Sequence, residues 1–256
     1  MVVAILTDFG TADGFVAAMK GVILSINPAV TIVDVSHEVQ PFNILEGALI
    51  LKAHYRYFPP GTIFVAVVDP GVGSERRPLA LRCGDYLFVG PDNGIMDLVV
   101  KDAQEPPQAV VIENRNVMLP RINNTFHGRD VFAPAAAHLS RGMALEDLGP
   151  AVEYTFRLNF PEVRREPGRV TGEIVYFDRF GNAVTNVPCG EFRCGMFREE
   201  RVRVVSHFQA GERGKLNLVC GSFGFMELFV PMGNAREIFR LELGEKIRLF
   251  GRGECP

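Results

Sequence analysis

The first 68 residues alternate between short apolar runs and segments with helical spacing, and this alternation limits the possible folds more than any other feature. Strands are predicted at residues 2–6, 31–35 and 62–68. Between them, one helix that Asp13 can cap ends at Asn27, and a second helix begins at Asn43 and Glu46, which resemble a capping box. A β-α-β-α-β order with apolar strands predicts a parallel sheet covered on both faces, which binds ligands at the carboxyl ends of its strands.

The pattern changes in the second half of the chain. Up to residue 160, further elements are predicted at residues 79–83 and 86–89 (a hairpin), 109–113 (a strand) and 128–141 (a helix). Beyond a polar stretch, strand-like alternation follows at residues 170–177, 201–205, 216–220, 226–230 and 247–250. We therefore predict an α/β protein: a doubly wound, mostly parallel sheet domain over residues 1–160 and a smaller, all-β, barrel-like domain over residues 168–256.

Composition excludes several classes of protein. A formal net charge of −3 gives no general attraction to nucleic acid or anionic lipid, and 47% hydrophobic residues are typical of a globular chain. The N-terminus lacks the basic region of a signal peptide, and no apolar run is long enough to span a membrane. We expect a soluble, cytoplasmic protein without membrane or nucleic-acid partners. The cysteines form no C-x-x-C pair, so we expect unpaired thiols at Cys83, Cys189, Cys194, Cys220 and Cys255.

One glycine-rich loop directly follows the third predicted strand and runs from Asp69 to Arg76. It is not a dinucleotide-binding fingerprint, because Arg76 stands where a third glycine is required, and the chain contains no P-loop G-K-[ST]. A tight turn with Asp69 as its cap and Arg76 in solvent explains the loop about as well as a catalytic role.

A second polar loop precedes the predicted helix at residues 128–141. His127 lies in it, and taken alone a single histidine is more often structural, here filling a polar gap while Asp130 or Thr125 caps the helix. The histidines lack H-x-x-x-H or H-E-x-x-H spacing, so we expect no metal site at His37, His54, His127, His138 or His207. Two C-terminal loops, 178–182 and 221–227, mix aromatic and hydrogen-bonding residues. Such a mixture can stack on and hydrogen-bond to a flat heterocycle, but it also occurs in strand turns for packing reasons alone.

Taken together, the order and spacing of these segments resemble the S-adenosylmethionine (SAM) hydrolases, also called SAM hydroxide adenosyltransferases, which are related to SAM-dependent fluorinases and chlorinases. The resemblance covers essentially the whole chain. The matching segments are Thr7-Asp8-Phe9-Gly10 with Asp13, Val33-Asp34-Val35-Ser36-His37, Asp69-Pro70-Gly71-Val72-Gly73 with Arg76, Phe126-His127-Gly128-Arg129-Asp130, Asp178-x-Phe180-Gly181-Asn182 with Asn186, and Asn234-Ala235.

The resemblance implies an enzyme that hydrolyses SAM to adenosine and L-methionine by attack of an activated water at ribose C5′. SAM is then the substrate, and no cofactor or metal is expected. The resemblance also implies a homotrimer in which SAM lies between the N-terminal domain of one subunit and the C-terminal domain of its neighbour. Asp69, Arg76 and His127 correspond to the hydrolytic triad of the family.

The same resemblance assigns binding roles. It implies that Asp8 binds the ribose hydroxyls, that Phe42 and Phe180 form the walls of the nucleoside pocket, and that Asn182 and the Asn234-Ala235 backbone bind the adenine. It also implies that Ser222 binds the methionine carboxylate and that Asp13, Asp178 and Glu227 lie near the methionine part. One position departs from the halogenases, because Phe223 stands where they place an arginine after the serine.

Three alternatives stay open. A halogenase would use the same pocket with a halide as nucleophile, although the Asp69 carboxylate near the line of attack would repel an anion. A non-catalytic SAM- or adenosine-binding protein would keep the recognition residues but would not need Asp69, Arg76 and His127 together. A nicotinamide-dependent oxidoreductase is the weakest alternative, because the glycine fingerprint is incomplete.

Overall fold

The computed structural model describes residues 1–251, and the chain divides into an N-terminal unit, Met1–Leu158, and a C-terminal unit, Asn159–Pro256. The strands of the N-terminal unit are β1 (Val2–Thr7), β2 (Thr31–Ser36), β3 (Ile63–Val67), β4 (Pro78–Cys83), β5 (Tyr86–Pro91), β6 (Gln108–Val111) and β7 (Ala151–Val152). Its α-helices are α1 (Phe15–Ile26), α2 (Ile44–His54), α3 (Asp97–Lys101) and α4 (Ala133–Ser140). Short 3-10 turns lie at Tyr55–Tyr57, Arg115–Val117 and Leu145–Leu148.

The seven strands form one sheet in the order β2-β1-β3-β5-β4-β6-β7. Strand β1 pairs in parallel with β2 and β3, and β3 pairs in parallel with β5, whereas β4, β6 and β7 pair antiparallel. The predicted α/β class is therefore confirmed, and so are the hairpin of β4 and β5 and the parallel β-α-β-α-β start. Helix α3 was not predicted.

The sheet is covered on both faces. Val3 and Ile5 of β1 belong to a core cluster with Met19 of α1 and Phe132, while Ala4 and Leu6, which alternate with them along the strand, are also buried. Burial of both sets explains why the strand is apolar at every position instead of every second one.

The two early helices begin differently. Asn43 caps α2 as predicted, since its Oδ1 accepts a hydrogen bond from the Glu46 backbone N–H at 3.1 Å. The prediction that Asp13 caps α1 is wrong. The cap residue is Gly14, in a left-handed conformation with φ of 72°, and no side chain caps this helix. A glycine adopts that conformation without the steric cost that Asp13 would incur there.

The C-terminal unit is a closed β structure. Its elements are β8 (Arg164–Glu166), β9 (Arg169–Phe177), β10 (Ala183–Pro188), β11 (Cys194–Phe197), β12 (Glu200–Val204), a 3-10 turn at Phe208–Ala210, β13 (Asn217–Cys220), β14 (Phe225–Phe229), α5 (Ala235–Phe239) and β15 (Lys246–Phe250). The strand order is β10-β14-β13-β12-β11-β15-β9-β8, and an additional β9–β10 pairing closes seven strands into a barrel. The predicted barrel-like domain is confirmed.

A disulfide joins Cys189, just after β10, to Cys220 at the end of β13, with the two Cα atoms 5.2 Å apart. The prediction of unpaired thiols is therefore wrong for this pair, and it is also wrong for Cys194, which is disulfide-bonded. In the strand order only β14 lies between β10 and β13, and this order brings together cysteines 31 residues apart in sequence. Cys83 is a buried free thiol, as predicted, and the Cys255 prediction lies outside the described residues.

Candidate active site

Acidic side chains follow the carboxyl ends of neighbouring parallel strands in the N-terminal unit. Asp8 follows β1 directly, Asp69 lies two residues after β3, and Asp92 follows β5. Because these strands are adjacent in the sheet, their ends form one edge, where ligands of doubly wound proteins bind.

Asp69 and Arg76 form a nearly dry ion pair. The Arg76 Nη2 atom lies 2.6 Å from Oδ2 of Asp69, and Nε lies 3.1 Å from each carboxylate oxygen. Only 4% of the Asp69 side chain and 9% of the Arg76 side chain are exposed. The alternative interpretation, in which Arg76 is a solvated charge, is therefore wrong.

The same guanidinium contacts His127. Nη2 of Arg76 lies 2.8 Å from Nδ1 of His127, and because arginine only donates, Nδ1 must accept and Nε2 must carry the ring hydrogen. Burial lowers the pKa of His127, and the Arg76 charge lowers it further. The imidazole is thus neutral at pH 7. Because His127 has a partner in Arg76, it is not the lone histidine that the structural interpretation assumed.

A glycine brings the Asp69–Arg76 loop and the His127 loop together. Gly73 has a φ of +77°, and a Cβ added there would lie 2.3 Å from the backbone oxygen of Asn124. Any side chain would separate the loop of Asp69 and Arg76 from the loop of His127. The guanidinium carbon of Arg76 lies 5.3 Å from the centroid of the Phe132 ring, within the range of a cation–π contact. Phe132 was not predicted as part of this site.

The helix after His127 is not capped by Asp130 or Thr125, contrary to the structural interpretation of this loop. Residues Gly128–Phe132 form a π-helical turn that runs into α4. Asp130 is fully buried, where its Oδ2 accepts from the backbone N–H of Asn123 at 2.7 Å and its Oδ1 from Nε of Arg129 at 2.6 Å. Thr125 instead donates its hydroxyl to Oδ1 of Asn123 at 2.7 Å. These contacts hold the loop that carries His127.

Asp8 and Phe42 lie together. The backbone N–H of Phe42 donates to Oδ2 of Asp8 at 2.8 Å, and Phe42 adopts a φ of 69°. That left-handed conformation is rare for an aromatic residue and leaves 71% of it exposed. Asp13 is exposed just before α1.

Most of the other predicted residues share one cavity in the C-terminal unit. Its volume is about 1040 Å³, and it is lined by Asp178, Phe180, Asn182, Ser222, Glu227 and Asn234, among others. Ala235 is not among the lining residues, because it is fully buried as the first residue of α5.

Asp178 organises one wall of this cavity. Its Oδ1 accepts from the backbone N–H groups of Phe180 and Asn182, and its Oδ2 accepts from Nδ2 of Asn182. The resulting turn leaves 75% of Phe180 exposed. Next to it, Asn234 caps α5 by accepting from the backbone N–H of Glu237 at 3.0 Å. The turn at Asp178 and the cap of α5 thus hold in place Asn182 and Asn234, which were predicted to contact the adenine.

Glu227 and Ser222, two further residues predicted around the methionine part, also line this cavity. Burial raises the pKa of Glu227 to about 7, and the nearby Asp178 carboxylate adds to the shift. Ser222 is exposed. The Phe223 ring stacks on Tyr176, with centroids 5.5 Å apart and planes inclined by 14°, so an aromatic pair occupies the position after the serine.

Two further findings bear on the class of protein. Within residues 1–251, no three His, Cys, Asp or Glu side chains cluster as a metal site. No helix in this part of the chain is both long and apolar enough to span a membrane.

The fold and the site define a protein with an acid–guanidinium–imidazole cluster at the edge of an α/β sheet and a ligand-sized cavity in a β-barrel. The SAM hydroxide adenosyltransferase N-terminal domain model matches residues 3–149, and the C-terminal domain model of the same family matches residues 172–248. The chain belongs to this family of enzymes, as the motifs predict.

Relatives and a solved structure agree with this membership. The chain is 38% identical to the (R)-S-adenosyl-L-methionine hydrolase of Salinispora tropica, over 96% of this chain and 97% of that protein. It is 31% identical to a fluorinase of an Actinoplanes species, over 73% of this chain and 71% of that protein. The crystal structure of an uncharacterized conserved protein from Thermotoga maritima superposes with a TM-score of 0.89 at 33% identity, covering 97% of this chain and 99% of the other.

Proposed function

We propose that this protein hydrolyses SAM to adenosine and L-methionine. The observation that carries the proposal is the buried contact in which one Arg76 guanidinium binds the Asp69 carboxylate and the neutral His127 imidazole at once. Recognition of a nucleoside alone does not require such a cluster. The names of the full-length relatives, SAM hydrolases, support the same reaction.

In the proposed reaction, a water oxygen attacks C5′ of the ribose in line with the sulfonium. The C5′–S bond breaks, its electron pair goes to sulfur, and methionine leaves as a neutral thioether. The SAM cation and water thus give adenosine, methionine and one proton. Because the positive charge of the sulfonium disappears during the reaction, a site that excludes bulk water favours the transition state.

We assign the proton acceptor to Asp69. Nδ1 of His127 already accepts from Arg76, so the other ring nitrogen, Nε2, offers a hydrogen and not a lone pair. The Asp69 carboxylate keeps lone pairs beyond those that Arg76 occupies. As the O–C5′ bond forms, the water becomes strongly acidic, and even an arginine-paired carboxylate accepts its proton. The Nε2 hydrogen of His127 orients the water.

The proposed substrate contacts follow the resemblance. Asp8 accepts hydrogen bonds from the ribose hydroxyls, Phe42 and Phe180 enclose the nucleoside, and Asn182 with the Asn234-Ala235 backbone binds the adenine. Asp13, Asp178, Ser222 and Glu227 surround the methionine part. The large exposed fractions of Phe42 and Phe180 support this role, because a flat ligand would cover both rings.

We also propose a homotrimer in which the N-terminal unit of one subunit and the C-terminal unit of another complete each site. Phe42 in the N-terminal unit and Phe180 in the C-terminal unit are both exposed, and a ligand held between two subunits would cover both rings. Light scattering should give three times the chain mass of 28.3 kDa. A monomer that hydrolyses SAM at full rate would contradict this proposal.

A SAM-dependent halogenase is the second candidate, because a fluorinase is among the relatives. A halide on the line of attack would meet the Asp69 carboxylate, whose charge Arg76 offsets in part, and this carboxylate accepts a proton from water but has none to accept from a halide. Incubation with SAM in chloride-free and chloride-rich buffer, followed by chromatography, separates the possibilities. We expect adenosine and methionine in both buffers. A 5′-chloro nucleoside would indicate a halogenase, and bound but unchanged SAM would indicate a non-catalytic binding protein.

We also propose a cytoplasmic location for the reaction. The Cys189–Cys220 disulfide fits this location in hyperthermophiles, whose intracellular proteins often carry disulfides, and not in cells that keep cytoplasmic thiols reduced. Cell fractionation tests the location, because recovery of the protein outside the cytoplasmic fraction would contradict it.

A further inference from the structure

His37 is a buried histidine that the proposed reaction does not use. It directly follows β2, it is only 6% exposed, and it belongs to one of the segments that carry the family resemblance. Its Nδ1 atom lies 2.9 Å from Oγ1 of Thr7, the fully buried last residue of β1. Strands β1 and β2 are parallel neighbours in the sheet, so this contact joins two adjacent carboxyl ends at the edge where Asp8 lies.

The other ring nitrogen of His37 indicates where the ring hydrogen lies. Nε2 is 3.0 Å from Oδ1 of Asp34, whose Oδ2 is 2.6 Å from Nζ of Lys20. The Nε2 contact is not aligned as a hydrogen bond, but a carboxylate beside Nε2 favours the tautomer with its hydrogen on that atom. Nδ1 then accepts from the Thr7 hydroxyl, whose oxygen accepts from the backbone N–H of Phe9 at 3.3 Å. The imidazole thus fixes the rotation of this hydroxyl.

His37 holds the loop that presents Asp8 from both sides. Before Asp8 its side chain contacts Thr7, and after Asp8 its backbone oxygen accepts from the N–H of Gly10 at 2.8 Å. The Asp8 carboxylate in turn accepts from the backbone N–H of Phe42 at 2.8 Å. The two bonds between backbone groups and this loop do not depend on the side chain at position 37, whereas the bond to Thr7 does. The imidazole is therefore the specific part of the arrangement.

We propose that His37, acting through Thr7, is a positioning residue for the Asp8 carboxylate and so sets the affinity of the enzyme for the ribose of SAM. The inference rests on the proposed function, in which Asp8 accepts hydrogen bonds from the ribose hydroxyls. A carboxylate accepts from these hydroxyls only when its position and its plane match them, because hydrogen bonds weaken steeply with misalignment. Since His37 does not touch the reacting atoms, its loss should weaken binding and spare the chemical step.

Two substitutions of His37 separate its two ring nitrogens. Asparagine branches at the same carbon as Nδ1, so its amide can keep the bond to Thr7, whereas the amide of glutamine lies further out, near the position of Nε2, and loses that bond. Thr7→Val removes the hydroxyl and keeps the shape, and Thr7→Ser keeps the hydroxyl. Thr62→Val is the control, because Thr62 is also buried and its hydroxyl donates to a backbone oxygen, that of Pro59, at the amino end of the neighbouring strand β3.

Adenosine release gives kcat and KM for SAM, and calorimetry gives the Kd. We expect His37→Gln and Thr7→Val to raise KM and Kd by roughly 5- to 20-fold and to change kcat by less than about threefold. His37→Asn and Thr7→Ser should stay within about threefold of wild type in all of these constants. Thr62→Val should lower the thermal unfolding temperature about as much as Thr7→Val and leave KM unchanged.

A double-mutant cycle with Asp8→Ala distinguishes positioning from a general loss of structure. Once the carboxylate at position 8 is absent, His37 has no ligand group to position. His37→Gln should therefore raise the Kd for SAM by less than about twofold in the Asp8→Ala background. A purely structural role would instead weaken binding by the same factor in both backgrounds.

Three results would overturn the inference while SAM hydrolysis stands: an unchanged KM in His37→Gln or Thr7→Val, equal increases of KM in His37→Asn and His37→Gln, or the same effect of His37→Gln with and without Asp8. Either His37→Gln or Thr7→Val decides the question if the other does not fold. Failure of the proposed function looks different, because then wild type releases no adenosine from SAM. Calorimetry with SAM still tests the inference in that case, and a wild-type protein that does not bind SAM would overturn both.

Discussion

Nη2 of Arg76 lies 2.8 Å from Nδ1 of His127, and this contact sets the protonation state of the imidazole. Because the guanidinium only donates, Nδ1 accepts, and Nε2 keeps the hydrogen. The same arginine binds Asp69 through Nε and Nη2. A single cation thus orients a carboxylate and a neutral imidazole, and it leaves the carboxylate as the acceptor for the proton of the attacking water.

The His127 contact predicts how the rate depends on pH. Burial and Arg76 lower the pKa of His127 below its ordinary value of 6.5, so kcat should be level from about pH 7 to 8 and fall only below pH 6.5. Protonation would place a second cation against Arg76 and break the contact. The lowered pKa also makes the free energy of unfolding depend on pH. The contribution of neutral His127 to this free energy is fully present above pH 6.5 and is lost as the pH falls through the lowered pKa.

His127→Gln is the matching variant, since its amide oxygen can accept from Arg76 and its amide nitrogen can donate to water. We expect it to keep kcat within roughly tenfold and to lose the decline below pH 6.5, whereas loss of a general base typically costs about 10²- to 10⁴-fold. A loss of that size in His127→Gln would make the histidine the base and would contradict the assignment to Asp69.

Substitution of Asp69 should separate turnover from binding. Asp69→Asn keeps an acceptor oxygen for Arg76 but removes the proton acceptor, and Asp69→Ala removes both. We expect each variant to lose about 10²- to 10⁴-fold in kcat while the Kd for SAM, measured by calorimetry, stays within about tenfold. Thermal unfolding identifies variants that fail to fold. A matching collapse of SAM affinity in folded Asp69→Asn would refute this division of roles.

Arg76 has a neighbour that provides a matched control. Arg77 binds the buried Asp92 through Nε at 2.9 Å and Nη2 at 2.7 Å, a pairing similar to that of Arg76 with Asp69. A lysine presents one ammonium and cannot hold a carboxylate and an imidazole in the same geometry. Arg76→Lys should therefore lower kcat by roughly 10- to 100-fold, whereas Arg77→Lys should change stability and leave kcat unchanged. If Arg76→Lys and Arg77→Lys lowered kcat equally, the specific role of Arg76 in catalysis would be contradicted.

The disulfide should stabilise the C-terminal barrel. Cys189 and Cys220 are 31 residues apart, and a crosslink that closes a loop of about that length stabilises a fold by about 3 to 4 kcal/mol in the chain-entropy model. Cys189→Ser and the double variant Cys189→Ser, Cys220→Ser should lose the same amount in chemical unfolding, because each removes the same bond. An unfolding midpoint equal to that of wild type would contradict a stabilising role.

Most of the longer strands and helices and the positions of the acids could be predicted from the sequence, whereas β7, β8, β10, β11, α3 and α5 were not predicted. Strands β1 and β3 are apolar throughout because both faces of the sheet are buried, and that pattern placed Asp8 and Asp69 at one edge. Strand β10 was missed because Thr185 and Asn186 interrupt its apolar pattern. Both are buried, since Thr185 donates to the Met226 backbone oxygen and Asn186 to that of Pro161.

Contacts between distant parts of the chain could not be predicted from local patterns. Arg76 and His127 are 51 residues apart, and each taken alone looks like an ordinary surface arginine or a structural histidine. The resemblance to a family connected them, and the tight packing of Gly73 on Asn124 gives the physical reason. The Cys189–Cys220 pair was missed for the same reason, because only the pairing of β14 with both β10 and β13 brings its members together.

The most direct test of the central claim follows the attacking oxygen. A single turnover with SAM in H₂¹⁸O, analysed by mass spectrometry, should place one ¹⁸O atom in the 5′-hydroxyl of adenosine and none in methionine, because water attacks C5′ and sulfur keeps the bonding electrons. Asp69→Asn should give the same labelled product at a rate lower by about 10²- to 10⁴-fold. Adenosine without ¹⁸O, or a label in the methionine part, would contradict attack of water at C5′.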